Sequence, residues 1–163
     1  MMTSLNAVRT YSAAIFDPER VLVHDYSRPK LRGGSPSASI PTVVVSPLSL
    51  HDATLADLAP RYSLMEVLQT NGIERLSLIE WISASAQSAN HTIGTQLQLL
   101  DQIVDHHGDK VNLIGLCQGG WLSLIYTALF PNKIRRLVMA GAPVDFMPIC
   151  PDPCGQPRAW HKV

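Results

Sequence analysis

The sequence has little charge and no run of basic residues. Charged side chains make up 16% of its 163 residues, against about a quarter in ordinary globular domains. Thirteen basic residues balance thirteen acidic ones. Because nucleic-acid binding depends on a basic patch, we expect no nucleic-acid partner.

Long apolar runs and a secretory signal are also missing. No stretch of about 18 apolar residues occurs, so we expect no membrane-spanning helix. The segment from Met1 to Asn6 lacks the charged and apolar regions of a signal peptide. The three cysteines, Cys117, Cys150 and Cys154, are too few and too oddly placed for a disulfide framework. We therefore expect a soluble, unexported protein in a reducing cytoplasm.

What the sequence does have is an alternation of strand-like and helix-like segments. The predicted strands lie at 20–26, 41–47, 75–81, 111–116 and 134–140, and the predicted helices at 52–70, 93–107 and 118–130. This alternation indicates βαβ units. We predict an α/β fold, a three-layer sandwich with a mostly parallel sheet.

The chain divides into three parts by composition. Residues 1–40 form an N-terminal extension with one predicted strand and a loop rich in Gly, Pro and Ser. Residues 41–146 carry the predicted sheet and helices. Residues 147–163 contain four prolines and no apolar period, which predicts an irregular tail.

A glycine-framed cysteine is the sharpest motif. Gly115-Leu116-Cys117-Gln118-Gly119-Gly120 has the G-x-C-x-G form and lies between a buried strand and an apolar helix, as in a nucleophile elbow. A reversal that tight holds the central residue at a positive φ and lifts its side chain above the strand ends. Glycines at 115, 119 and 120 let helix and strand approach closely.

This placement predicts a nucleophilic thiol at Cys117. The start of a helix favours the thiolate, and the backbone N–H of Gln118 would face an oxyanion. The backbone N–H groups at Leu48 and Ser49, after the strand at 41–47, are candidates for a second oxyanion donor. The alternative is a buried structural cysteine in a glycine-rich packing turn.

Residues 41–146 resemble the polyhydroxyalkanoate synthase family and its α/β-hydrolase relatives, which include thiol-dependent polyester depolymerases. The matching segments are PTVVVSPLSL at 41–50, ADLAP at 56–60, SLMEVLQTNG at 63–72, LSLIEW at 76–81 and the long block at 111–146. The resemblance implies that Cys117 attacks a hydroxyacyl-CoA thioester. Where the family has an Asn after its first matched strand, this chain reads Leu48-Ser49-Leu50-His51.

The order of a hydrolase triad predicts an acid and then a histidine downstream of the nucleophile. After residue 146 the only Asp is Asp152 and the only His is His161. Both lie in the proline-rich tail, so neither is assigned a catalytic role. We therefore expect the fold to be incomplete at its C-terminal side, truncated after its sixth core strand, and turnover to be low.

Other residues have simpler interpretations. His51 lies on the same predicted rim as Cys117 and is a substitute base or an ordinary loop residue. No metal site is expected, either at His106-His107 with Asp105 and Asp109 or at Cys150, Cys154 and His161. Structural roles are expected for a further group: Trp121 and Tyr126 in the core, Asp145 at a strand end, and Arg135-Arg136 in solvent.

Three functional hypotheses follow. The first is an acyltransferase of the synthase type, with hydroxyacyl-CoA as substrate, no cofactor, and association with polyester granules. The second is a cysteine-dependent hydrolase acting on hydroxyalkanoate polyester. The third is a non-catalytic remnant whose open sheet side is covered by a protein partner or by a second copy.

Overall fold

The computed structural model describes residues 9–11, 17, 19–27, 39–49, 52–86, 88–108 and 110–145. The strands in these residues are β1 Arg9–Tyr11, β2 Val21–Asp25, β3 Thr42–Val45, β4 Asp57–Ala59, β5 Tyr62–Ser63, β6 Leu76–Trp81, β7 Val111–Leu116 and β8 Ile134–Ala140. The helices are α1 Leu64–Thr70, α2 Ile93–His106 and α3 Gln118–Leu129, followed by a 3₁₀ turn at Pro131–Lys133. The proline-rich segment at 147–163 lies outside the described residues.

Six strands form one mostly parallel sheet in the order β1-β2-β6-β3-β7-β8. Strands β6, β3, β7 and β8 run parallel, while β1 and β2 are antiparallel to the strands they pair with. In register, Val45 pairs with Gly115, and Leu116 pairs with Ala140. The carboxyl ends of the parallel strands therefore meet at one edge of the sheet, which is where open α/β sheets place their ligand sites.

Helices cover both faces of this sheet, which confirms the predicted three-layer α/β fold. On one face, buried residues of α2 and α3, among them Leu100, Ile103 and Tyr126, pack on β3, β6 and β7. On the other face, Met65 of α1 packs on Val44 and Leu78. All four residues of β3 are buried, because it lies between β6 and β7 with both faces covered.

One predicted helix is wrong over most of its length. Instead of running from residue 52, helix α1 begins at Leu64, and β4 and β5 form a small antiparallel pair before it. Pro60 cannot donate within a helix, and Arg61 follows it at φ +70°, a turn conformation. The hydroxyl of Ser63 then caps α1 by accepting a hydrogen bond from the backbone N–H of Glu66 at 3.0 Å.

The N-terminal part contains a strand that the sequence pattern did not indicate. The predicted strand at 20–26 is confirmed as β2, but β1 pairs with it in antiparallel register, with Arg9 opposite Asp25. Only three residues long, β1 shows no period of its own, and its pairing with β2 defines it.

Candidate active site

Cys117 is the single residue between the end of strand β7 and the start of helix α3. Its backbone has φ +51° and ψ −118°, a conformation that a side-chain-bearing residue adopts at a cost of about 1–3 kcal/mol. Its N–H donates to the carbonyl oxygen of Ala140 at 2.9 Å, and its own carbonyl accepts from the N–H of Gly120 at 2.9 Å. The first bond ties the turn at Cys117 to the end of the neighbouring strand β8, and the second ties it to the first turn of α3.

Three glycines let the turn close. A Cβ atom added to Gly115 would lie 2.5 Å from the carbonyl oxygen of Gly119, and one added to Gly119 would lie 2.6 Å from the carbonyl oxygen of Ser46. A Cβ on Gly120 would collide with the Cβ of Ala142. Strand β7, the segment after β3 and the first turn of α3 are therefore packed backbone against backbone, with no room for side chains between them.

The thiol of Cys117 is a free cysteine and is partly exposed to solvent. It precedes the first turn of α3, where backbone N–H groups have no partner within the helix. No side chain caps this end of the helix. The arrangement therefore places the Cys117 sulfur beside the start of α3, whose first backbone N–H is that of Gln118.

The side chain of Gln118 makes a contact that the sequence pattern does not predict. Its Oε1 accepts a hydrogen bond from the backbone N–H of Ser49 at 2.9 Å. This bond joins the segment after β3 to the start of α3, across 69 residues of sequence. It engages the N–H of Ser49, one of the two residues predicted to supply a second oxyanion donor, while the other predicted residue is Leu48.

Ser46 and Trp81 fix the inner end of the same segment. The indole Nε1–H of Trp81 donates to the carbonyl oxygen of Ser46 at 3.1 Å, and the Ser46 N–H donates to the carbonyl of Ile79 at 3.4 Å. Ser46 is fully buried, and its hydroxyl has no hydrogen-bond partner among the described residues. Leu48 packs partly buried against the core.

The remaining predicted residues are placed as follows. His51, Asp152, His161, Cys150 and Cys154 lie outside the described residues. Tyr126 is buried and Trp121 is partly buried against the core, as expected, while Arg135 and Arg136 are exposed on β8. Asp145 is exposed at the end of the described core.

Four histidines lie in the described part of the chain. Two of them, His106 and His107, lie at the end of the sheet opposite to Cys117. They lie at the end of α2, just before β7 begins. Burial, His106 and the positive charge of Arg75 lower the pKa of His107 to about 4, against a weaker opposing effect of Asp25. Its Nε2 is buried and has no hydrogen-bond partner among the described residues.

In the ranges that the structure describes, no hydrogen bond joins a histidine to the Cys117 thiol. The same ranges contain no group of three or more His, Cys, Asp or Glu side chains placed to hold a metal ion. Nor do they include a helix with the length and apolar character needed to cross a bilayer.

Sequence comparison finds relatives of one kind. A family model described as the alpha/beta hydrolase fold matches residues 83–160. The chain is 34% identical over 140 residues to the poly(3-hydroxyalkanoate) polymerase subunit PhaC of Allochromatium vinosum, a match covering 82% of this chain and 38% of the relative. It is 32% identical to the PhaC subunit of a Synechocystis strain, covering 84% of this chain and 36% of that relative. The chain thus spans little more than a third of each.

Comparison with solved structures gives the same fold. The haloalkane dehalogenase DbeA of Bradyrhizobium elkani superposes with a TM-score of 0.58 at 11% identity, over 83% of this chain and 42% of that one. A putative lipase of Acinetobacter baumannii superposes with a TM-score of 0.56 at 11% identity, over 83% and 42%. At such identity the likeness concerns the fold alone. The chain therefore has the α/β-hydrolase fold and is similar in sequence to the PhaC subunits of poly(3-hydroxyalkanoate) polymerases.

Proposed function

We propose that Cys117 is the nucleophile of an acyltransferase of the polyhydroxyalkanoate synthase type. The observation that carries this proposal is the backbone of Cys117, held at φ +51° between β7 and α3 with its thiol partly exposed. Such a strained position persists only where the surrounding structure enforces it, and this commonly occurs at active sites. The relatedness to PhaC subunits supplies the substrate class, a hydroxyacyl-CoA thioester.

The chemistry would proceed in two steps through one covalent intermediate. The Cys117 thiolate attacks the thioester carbonyl carbon, and the carbonyl oxygen becomes an oxyanion that accepts a hydrogen bond from the Gln118 N–H. The oxyanion then reforms the carbonyl, the bond to the CoA sulfur breaks, and CoA leaves as a thiolate that takes up a proton. A hydroxyl group of a second hydroxyacyl unit attacks the acyl-cysteine, giving an ester and releasing the Cys117 thiol.

Water would use the same intermediate if it reached Cys117 first. The thiol is partly exposed, so a hydrolase acting on hydroxyalkanoate esters is the second candidate. In that reaction water replaces the hydroxyl acceptor, and a free hydroxy acid leaves. The two functions differ in the acceptor, and the acyl-cysteine is common to both.

A direct test is to incubate the protein with 3-hydroxybutyryl-CoA and follow CoA release with a thiol reagent. We expect release of up to one CoA per chain, with a 3-hydroxybutyryl group on the peptide that contains Cys117. Further turnover should be slow, because no described histidine contacts the thiol and general-base assistance is worth roughly 10²–10⁴-fold. Products of the slow phase separate the candidates: oligomers indicate a transferase, and free 3-hydroxybutyrate indicates a hydrolase.

The matched control is Cys117→Ala, which removes the sulfur and keeps the turn. CoA release at the same rate from Cys117→Ala, or an acyl group found only on other residues, would contradict both catalytic functions.

A further inference from the structure

Gln118 faces the candidate site with two different groups. Its backbone N–H is the first of α3 and lies next to the Cys117 thiol in the chain, while its side-chain Oε1 accepts from the Ser49 N–H at 2.9 Å. A single residue therefore connects the helix start to the segment after β3.

The segment 46–49 is held at both ends. Its inner end is fixed by β6, through the Trp81 indole bond to the Ser46 carbonyl at 3.1 Å. Its outer end, at Ser49, is exposed and is held by the hydrogen bond from the Ser49 N–H to Gln118. Pro47 has no N–H to offer, so Leu48 lies between the two anchors as the residue whose N–H is available to an oxyanion.

We propose that the Gln118 carboxamide is a positioning residue that holds segment 46–49 beside Cys117, so that the Leu48 N–H serves as the second oxyanion donor. This inference rests on the proposed function of Cys117 as an acyl acceptor. It adds a role for the Gln118 side chain to the role of its backbone N–H. Displacing one oxyanion donor slows acyl transfer, because an N–H stabilises the oxyanion only when it lies within hydrogen-bond distance of that oxygen.

Two electrophiles separate this role from a general effect on the thiol. Acylation by 3-hydroxybutyryl-CoA passes through an oxyanion, whereas alkylation by iodoacetamide displaces iodide at a saturated carbon and forms none. A variant that only disturbs the thiol or the fold changes both rates. A variant that displaces an oxyanion donor lowers the acylation rate of Cys117 and leaves its alkylation rate unchanged.

The test variant is Gln118→Met, which keeps the length of the side chain and removes the acceptor oxygen. We expect its acylation to be about tenfold slower or more, with alkylation within about twofold of the unmodified protein. Gln102→Met, the same substitution at an exposed position of α2, is the matched control and should change neither rate.

Amide hydrogen exchange gives a readout independent of the chemistry. The Ser49 amide should exchange faster in Gln118→Met and keep its protection in Gln118→Glu, which retains an acceptor oxygen at the same reach. Unchanged Ser49 protection in Gln118→Met would overturn the positioning role.

The outcomes also distinguish this inference from the proposed function. If the unmodified protein forms no acyl-Cys117, the proposed function fails and the positioning role fails with it. If it does form acyl-Cys117 and Gln118→Met is acylated as fast, only the positioning role fails. Faster acylation of Gln118→Met would also overturn it, because the carboxamide would then be masking the Ser49 N–H from the substrate.

Discussion

Gly119 lies directly against the end of strand β3: a Cβ atom added to it would be 2.6 Å from the carbonyl oxygen of Ser46. Backbone atoms cannot rotate away as a flexible side chain can. We expect Gly119→Ala to push α3 off the sheet and lower the free energy of unfolding by about 2–4 kcal/mol. Chemical denaturation measures this loss.

Gly94→Ala is the matched control, since it is also a glycine in a helix. The nearest atom to its added Cβ is the Thr92 hydroxyl oxygen at 3.4 Å, an ordinary contact. This substitution should be neutral or raise stability by about 0.5–1 kcal/mol. Equal losses of unfolding free energy in the two variants would show that the close packing at Gly119 does not contribute to stability.

The strands and helices around Gly119 follow from the sequence because their apolar patterns match their burial. Strands β3 and β7 are short apolar runs that lie inside the sheet, and α2 has the predicted apolar spacing and ends just before Gly108. These elements bury the residues that define their pattern. The pattern and the packing therefore agree.

The segment at 52–70 shows why that agreement can fail. Leu55, Leu58 and Tyr62 have helical spacing, yet their side chains are 55%, 67% and 74% exposed. Apolar spacing predicts a helix only when the spaced side chains form a buried face. These three side chains do not form one, so their spacing does not indicate a helix. The bond between Gln118 and Ser49 is unpredictable for another reason: it joins a side chain and a backbone group 69 residues apart, whose meeting depends on the assembled fold.

The backbone of Cys117 allows stability and reactivity to be separated. At φ +51° a glycine is free of the strain that any side chain carries. We expect Cys117→Gly to be about 1 kcal/mol more stable than Cys117→Ala by chemical denaturation, while neither forms an acyl-enzyme. A less stable Cys117→Gly would mean that the turn is relaxed and that backbone strain does not mark Cys117 as an active-site residue.

The edge of the sheet at β8 carries exposed apolar side chains. Val138 and Met139 are 51% and 42% exposed, and among the described strands β8 pairs only with β7. An open apolar edge is a template for pairing with another chain. We expect the protein to self-associate with rising concentration, and Val138→Lys to reduce this, as measured by analytical ultracentrifugation.

Val67→Lys provides the comparison for that experiment, because Val67 is 54% exposed on helix α1. It adds the same charge and removes the same apolar group at a position away from the edge. A monomer at all concentrations, or an equal effect of both lysines, would argue against association through β8.

The pKa of His107 predicts how stability depends on pH. Burial, His106 and Arg75 lower this pKa from 6.5 to about 4 in the folded state. Above pH 6.5 the imidazole is neutral in both states and contributes no pH dependence. As pH falls from about 6.5 to about 4, the unfolded chain takes up a proton that the folded chain does not, so stability is lost, by up to about 3 kcal/mol.

His107→Gln removes this titration and should flatten the pH profile of the free energy of unfolding between about pH 6.5 and 4. His106→Gln is the matched control, because it changes the neighbouring and exposed imidazole at the same helix end. It should keep most of the steepness, since burial is the largest cause of the His107 shift. If the two variants give the same profile, the buried imidazole of His107 is not the group that makes the protein sensitive to acid.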